Sequence, residues 1–221
     1  YPAKDLIFYQ ADIHGNLLIR QRLQVIQALL ERKEVTIITS VGGCMDFLLP
    51  LGVFEKHCIH LRNDSEFDLD KIRKELVRLG YESTFQVEST GQFSVRGGIL
   101  DIYPLTEQNP IRIELWGDEI DSIRSFDAES QRSIENLEEI TIYPASELIL
   151  TENTIARGVK AIKKEAKAQS TKFRDKMMTE EAARIRHAAE EICDQIGEGE
   201  ILQGAEQYLH YFYPETVSFL E

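Results

Sequence analysis

Between Phe85 and about Pro144 the apolar residues of this chain recur at every second position, whereas on either side they recur at spacings of three and four. Such a switch of period commits the middle of the chain to strands and its flanks to helices. The strands fall at Gln92 to Arg96, Ile99 to Tyr103, Ile111 to Trp116, Ile120 to Phe126 and Glu139 to Tyr143, separated by Gly, Asn, Pro and Asp. One helix precedes them. Asp68 can cap it, Leu69, Ile72, Leu76 and Leu79 form its apolar stripe, and Gly80 is placed to end it. The prediction is a small, mainly antiparallel sheet with one helix against it.

In the first flank, Ile19, Leu23, Ile26 and Leu30 mark a helix from Leu17 to Arg32. The β-branched run Val35 to Val41 then reads as a strand buried on both faces, as parallel sheets require. Gly42 to Pro50 reads as a short apolar helix stopped by proline, and Val53 to Leu61 as an extended segment. In the second flank, a helix starts at Thr179, carries Ile185, Ala189, Ile192 and Ile196, and meets Gly197; its partner lies around Ile155 to Ala168. The fold class is therefore α/β plus α+β, divided as 1–61, 62–145 and 146–221, with the small sheet domain inserted into a larger α/β one.

With 38 acidic against 25 basic residues, the net charge of -13 would repel a phosphate backbone unless basic groups cluster, so a protein partner is the first expectation. Cys44, Cys58 and Cys193 are far apart and odd in number, which points to reduced core thiols in a cytoplasmic setting. No apolar run approaches the ~20 residues of a membrane helix. A start at Tyr1 without Met and an end inside the apolar run Phe219-Leu220 suggest a piece of something longer.

A nucleotide-binding P-loop needs glycines, a lysine and a Ser or Thr at fixed spacing, and none of the thirteen glycines is followed by lysine. Gly117-Asp118-Glu119-Ile120-Asp121 imitates a magnesium-holding acidic box, but it falls between two alternating strands, where Gly-Asp makes a tight turn. His57 and His60, with Cys58 and Cys44, offer soft metal ligands; on one strand, however, alternation sends the two imidazoles to opposite faces. Nothing local to the cysteines supplies a catalytic base. Arg96-Gly97-Gly98 reads as a bend between strands. The basic run Lys160, Lys163, Lys164, Lys167, Lys172, Arg174 and Lys176 could face phosphates, yet Glu165 and Asp175 among them favour a solvated helix surface.

What remains is a surface. Period two sends Ile111, Ile113 and Leu115 to one face and Arg112, Glu114 and Trp116 to the other, while Phe93 and Val95 oppose Ser94 and Arg96. Arg96, Arg112 and Trp116 can thus share the outward side, and arginine and tryptophan are common interface anchors. Equally open on alternation alone is that Arg112 pairs with Glu114 or a cross-strand acid while Trp116 covers the sheet.

The stretches Gly80-Tyr81-Glu82, Gly91 to Pro104, Ile111 to Asp121 and Phe126-Asp127 closely resemble the module shared by UvrB and the transcription-repair coupling factors. Weaker similarity reaches from Phe8-Tyr9-Gln10 through the Thr36 segment, and again from Gly204 to Pro214. Gln131 to Glu135 is similar to the coupling-factor version, and UvrB would place a long aromatic hairpin between Tyr9-Gln10 and the helix at Leu17. The resemblance implies that residues near 60–144 bind UvrA, and that the flanks belong to an incomplete RecA-like, helicase-like domain without working ATPase motifs. It places the family's contact, two arginines and an aromatic, on Arg96, Arg112 and Trp116, although the family often has Phe at the last position. It further implies no catalysis and no cofactor in this segment, with ATP and magnesium confined to the motor of a larger DNA translocase. RNA polymerase and duplex DNA would be that protein's other partners, and a membrane would not. Alternatives are a fragment of UvrB itself and a DNA-binding domain built on the Lys160 to Lys176 helix. Arg96→Glu and Arg112→Glu are expected to abolish UvrA association without harming the fold, both lying on exposed strand faces.

Overall fold

The structure, a computed structural model, describes residues 1–3, 15–197 and 208–220. In chain order the elements are α1 (Gly15–Leu30), α2 (Val41–Met45), β1 (Phe47–Leu48), α3 (Leu51–Lys56), β2 (Ile59–Arg62), α4 (Leu69–Arg78), β3 (Glu82–Ser83), β4 (Gln92–Arg96), β5 (Ile99–Ile102), β6 (Ile111–Trp116), β7 (Glu119–Phe126), β8 (Ser133–Leu137), β9 (Glu139–Ile142), α5 (Glu152–Asp175), α6 (Thr179–Gly197), α7 (Leu209–Phe212) and β10 (Val217–Ser218). They divide into two compact units, Tyr1–Ile149 with Val217–Glu221, and Leu150–Thr216. The helix-and-strand class read from the sequence stands. The segments around Phe8-Tyr9-Gln10 and Gly204 to Gln207 lie outside the described residues.

The first unit is built on a six-stranded sheet ordered β3-β4-β5-β6-β7-β8, antiparallel throughout except for the β3–β4 edge. Its inward residues Phe93, Leu100, Ile102, Ile111, Ile113, Ile120 and Ile123 are buried, and α4 adds Leu76 and Leu79 to the core. That helix begins and ends as its residues dictate. The Asp68 carboxylate accepts from the Lys71 amide (2.9 Å), and Gly80 takes φ +94°, a conformation in which a Cβ would also stand 2.8 Å from Ser146 Cβ.

Three expectations are corrected, and one strand is added. Val35 to Val41 is not a buried strand: no strand pairs with it among the described residues, and Ile38 is 82% exposed. β-Branched composition confers a liking for the extended state, but a strand needs a neighbour to take its amides and carbonyls. Val53 to Leu61 is not continuously extended: α3 buries Phe54 and ends at His57, and only Ile59 to Arg62 pairs as a strand. β9 does not join the large sheet but pairs with β2, Ile59 opposite Ile142 and Arg62 opposite Glu139. Finally, β8 is a strand the alternation did not reveal, because its Ser133 to Asn136 stretch is solvated and carries no apolar face. Among the described residues no parallel pair precedes α4, where the expected RecA-like sheet would lie; β1 pairs antiparallel with β10.

Arg22 holds several parts of this unit together. Its fully buried guanidinium donates to Glu147 Oε1 (2.6 Å), Asp46 Oδ2 (2.7 Å) and the Pro2 carbonyl (2.8 Å), and stacks 4.2 Å from the centre of the Tyr1 ring. Burial pulls the Arg22 pKa down, but the charge and hydrogen bond of Glu147 more than reverse this and the cation persists. One side chain thereby links α1, the end of α2 and the segment after β9.

The second unit is a helical hairpin of α5 and α6 with α7 against α5. Thr151 caps α5 in a reciprocal arrangement with Thr154, and Lys176 to Met178 turn the chain, with Met177 at φ +60°. Ile162, Ala182, Ala189, Cys193 and Ile196 line the seam, and Gly158 lets the Phe212 ring approach the helix.

Candidate docking face

The register of the sheet settles which side chains are neighbours. Ser94, Asp101, Arg112, Arg124 and Asn136 stand opposite one another across five strands, and Arg96, Ile99, Glu114 and Ser122 form the next row. Directly opposed residues share a face, so Arg96 and Arg112 lie together on the side away from the aliphatic core. Trp116, two residues beyond Glu114, lies on that side at the end of β6. The bulge near Glu114 does not disturb this, since the extra residue, Asp121, belongs to β7. Trp116 is 82% exposed.

The two arginines are held by a carboxylate. Arg112 donates through Nε to Asp101 Oδ1 (2.6 Å) and through Nη2 to Oδ2 (2.8 Å), while Arg96 Nη2 reaches the same Oδ2 (2.7 Å). Asp101 is buried, 1% exposed, in the middle of β5. The Arg112 guanidinium also lies 4.5 Å from the Phe126 ring centre and donates to Gln131 Oε1 (3.0 Å). Hydrogen bonding to Asp101 raises the Arg112 pKa against the opposite pull of burial.

Beside this cluster Arg124 pairs with Glu114, which also accepts from Ser122 Oγ. Within this cluster three guanidinium groups meet two carboxylates, while Glu119, opposite Trp116, adds an exposed acid at the end of the face. Both of Arg112's Nη1 hydrogens and most of Arg96's donors find no partner among the described residues, so the face offers planar cationic forks and an indole. Such a surface suits carboxylates on another molecule.

Exposure differs between the two arginines. The Arg96 side chain is 38% exposed and that of Arg112 only 15%, so Arg112 is structural on one edge and presentable on the other. The expectation that Arg112→Glu would spare the fold is therefore corrected: a second carboxylate would face buried Asp101. Alternation placed the arginines, Trp116 and Glu114 but missed Asp101, Arg124, Gln131 and Phe126. One signal for Asp101 was present, a lone acid inside the aliphatic run Ile99-Leu100-Asp101-Ile102.

The other sequence candidates take ordinary places. Gly117 (φ +65°) and Asp118 form the two-residue turn between β6 and β7, and Gly97 (φ +60°) and Gly98 that between β4 and β5. His57 does not share a strand with His60: its Nδ1 lies 2.8 Å from the Val53 carbonyl, whereas His60 meets Thr141 Oγ1 at 3.0 Å. Burial, with Glu55 nearby, pushes the Cys58 thiol up to about 11, unsuited to a nucleophile at neutral pH. Among the described residues no helix is long and apolar enough to cross a membrane.

The segment that carries this face is similar to known proteins. Residues 59–148, which contain Arg96, Asp101, Arg112 and Trp116, match the UvrB interaction domain. The whole chain is similar to the transcription-repair-coupling factor of Bacillus subtilis (strain 168), 37% identical over 222 residues, which is 100% of this chain and 18% of the relative. Transcription-repair-coupling factors of Staphylococcus haemolyticus (strain JCSC1435) and Staphylococcus aureus (strain MRSA252) are each 39% identical over 155 and 156 residues, covering 70% and 71% of this chain and 13% of the relative. The chain thus spans under a fifth of the length of the relatives it matches. The matching segment runs from β2 through β9 and contains the candidate face.

Proposed function

We propose that this chain is the docking part of a transcription-repair-coupling factor and recruits UvrA through the outer face of its six-stranded sheet. The observation that carries the reading is the presentation on one sheet face of Trp116 with Arg96 and Arg112, both arginines braced on buried Asp101, within the segment matching the UvrB interaction domain. Asp101 fixes the guanidinium planes, the free donors of Arg96 and Arg112 engage carboxylates of UvrA, and the indole supplies the apolar anchor. Residues 62–145 are the docking domain and the flanks are its support. Catalysis lies elsewhere: a motor using ATP and magnesium on duplex DNA, displacing stalled RNA polymerase, would belong to the rest of the larger protein. That the relatives named above are coupling factors supports this reading over an excision-nuclease subunit.

Titration of purified UvrA against the chain tests it. Arg96→Glu and Trp116→Ala, both at well-exposed positions, are each expected to weaken association by tenfold or more, about 1.4 kcal/mol. Unaltered affinity in both variants would overturn the assignment.

A further inference from the structure

We infer that α5 carries a binding face for the phosphate backbone of duplex DNA, separate from the sheet and independent of the UvrA reading. At about 100° per residue, Arg157, Lys160, Lys163, Lys164, Lys167 and Arg174 fall within an arc of about 120°. All six are exposed, and that arc lies opposite the side on which Gly158 and Ile162 are buried, with buried Ser170 just beyond its edge. None of the six forms an ion pair within the unit among the described residues. Glu165, which lies within the run in sequence, points off the arc and accepts a hydrogen bond from Tyr211 OH (2.8 Å). Asp175 alone of the acids shares the arc.

The arrangement costs helix stability. Arg157–Lys160, Lys160–Lys163, Lys160–Lys164, Lys163–Lys167 and Lys164–Lys167 are like-charge neighbours three or four residues apart, each unfavourable in an isolated helix. A solvated surface gains nothing from such crowding, whereas a polyanion lying along it relieves every one of these repulsions. The arc is about 26 Å long, matching a stretch of duplex that carries one negative charge per ~1.7 Å. The arc's other residues are Asn153, Ala156, Thr171 and Asp175. Without an aromatic on which bases could stack, the face does not suit a single strand, and without an apolar anchor it does not suit a protein hot spot. The chain's net charge of -13 is no obstacle at physiological salt, where charges more than about 8 Å away are largely screened.

Fluorescence anisotropy of the whole chain with a labelled 30-base-pair duplex of mixed sequence, read across salt concentrations, tests this. With four to five phosphates engaged, affinity should fall roughly a hundredfold or more between 50 and 200 mM salt, at a log–log slope near -4. The triple variant Lys160→Gln, Lys164→Gln, Lys167→Gln, checked for retained helix content by circular dichroism, should flatten that slope by about 2.7. No binding at 50 mM salt overturns the inference, as does an unchanged slope in the triple variant. Preference for oligo-dT over duplex, or displacement of the duplex by polyglutamate as readily as by unlabelled DNA, overturns it equally by assigning the face to another class of partner. UvrA titration of the same variant separates the two surfaces: α5 substitutions should leave it unchanged.

Discussion

A buried acid with two arginine partners is the residue-scale feature on which the docking face depends. Taking Asp101 out of water is costly, and the cost is met only because three donors reach it at 2.6–2.8 Å. Asp101→Ala should therefore lower stability by about 3 kcal/mol in a denaturant titration, and should also free both forks to wander. Asp101→Asn keeps the volume but not the charge and should cost less; a variant as stable as wild type would show that the cluster contributes only alignment. Nearby, Asp127 accepts from the hydroxyl and amide of Ser130, which holds its carboxyl below the ordinary value of 3.8. The sign follows directly: the contribution is present above the ordinary aspartate range and disappears as pH falls through the lowered folded value. The stability gap between wild type and Asp127→Ala should thus be constant from pH 7 to 5 and close below about 3.8. Alternation made the outward placing of Arg96, Arg112 and Trp116 legible. It could not reveal the brace, because Asp101 meets Arg112 across a strand pair whose register no local pattern states.

At the scale of elements, what could be read were the segments that carry their own start and stop signals. Asp68 and Gly80 bound α4, and the two-residue turns Gly97-Gly98 and Gly117-Asp118 close hairpins whose strands alternate cleanly. What could not be read were segments whose state is decided by a neighbour: Val35 to Val41 has strand composition but no strand pairs with it among the described residues, and β8 has a partner and no apolar face. The glycines divide in the same way. Gly97→Ala meets nothing within 4 Å and should cost only the left-handed conformation, about 1 kcal/mol. Gly158→Ala ought to gain about 1 kcal/mol of helix propensity. Its Cβ, however, would stand 2.4 Å from two Phe212 ring carbons. Overpacking of that kind outweighs the gain, so thermal unfolding should show Gly158→Ala net destabilised by about 1–2 kcal/mol.

Across the whole molecule, the division into an N-terminal segment, a sheet domain and a helical segment was drawn from changes of period. The contacts that join the first two were invisible there, because Arg22 sits on the inward side of α1 where a charged residue is not expected. Arg22→Met keeps the bulk but removes the cation from Glu147, and should cost about 3 kcal/mol of stability in the full chain. The β2–β9 pair has a further consequence. The excursion from Arg62 to Glu139 departs and returns at residues that face each other across a ladder, about 5 Å apart. A segment with adjacent ends is portable: residues 62 to 139, spliced into the tip of an unrelated antiparallel hairpin, would carry their partner recognition with them.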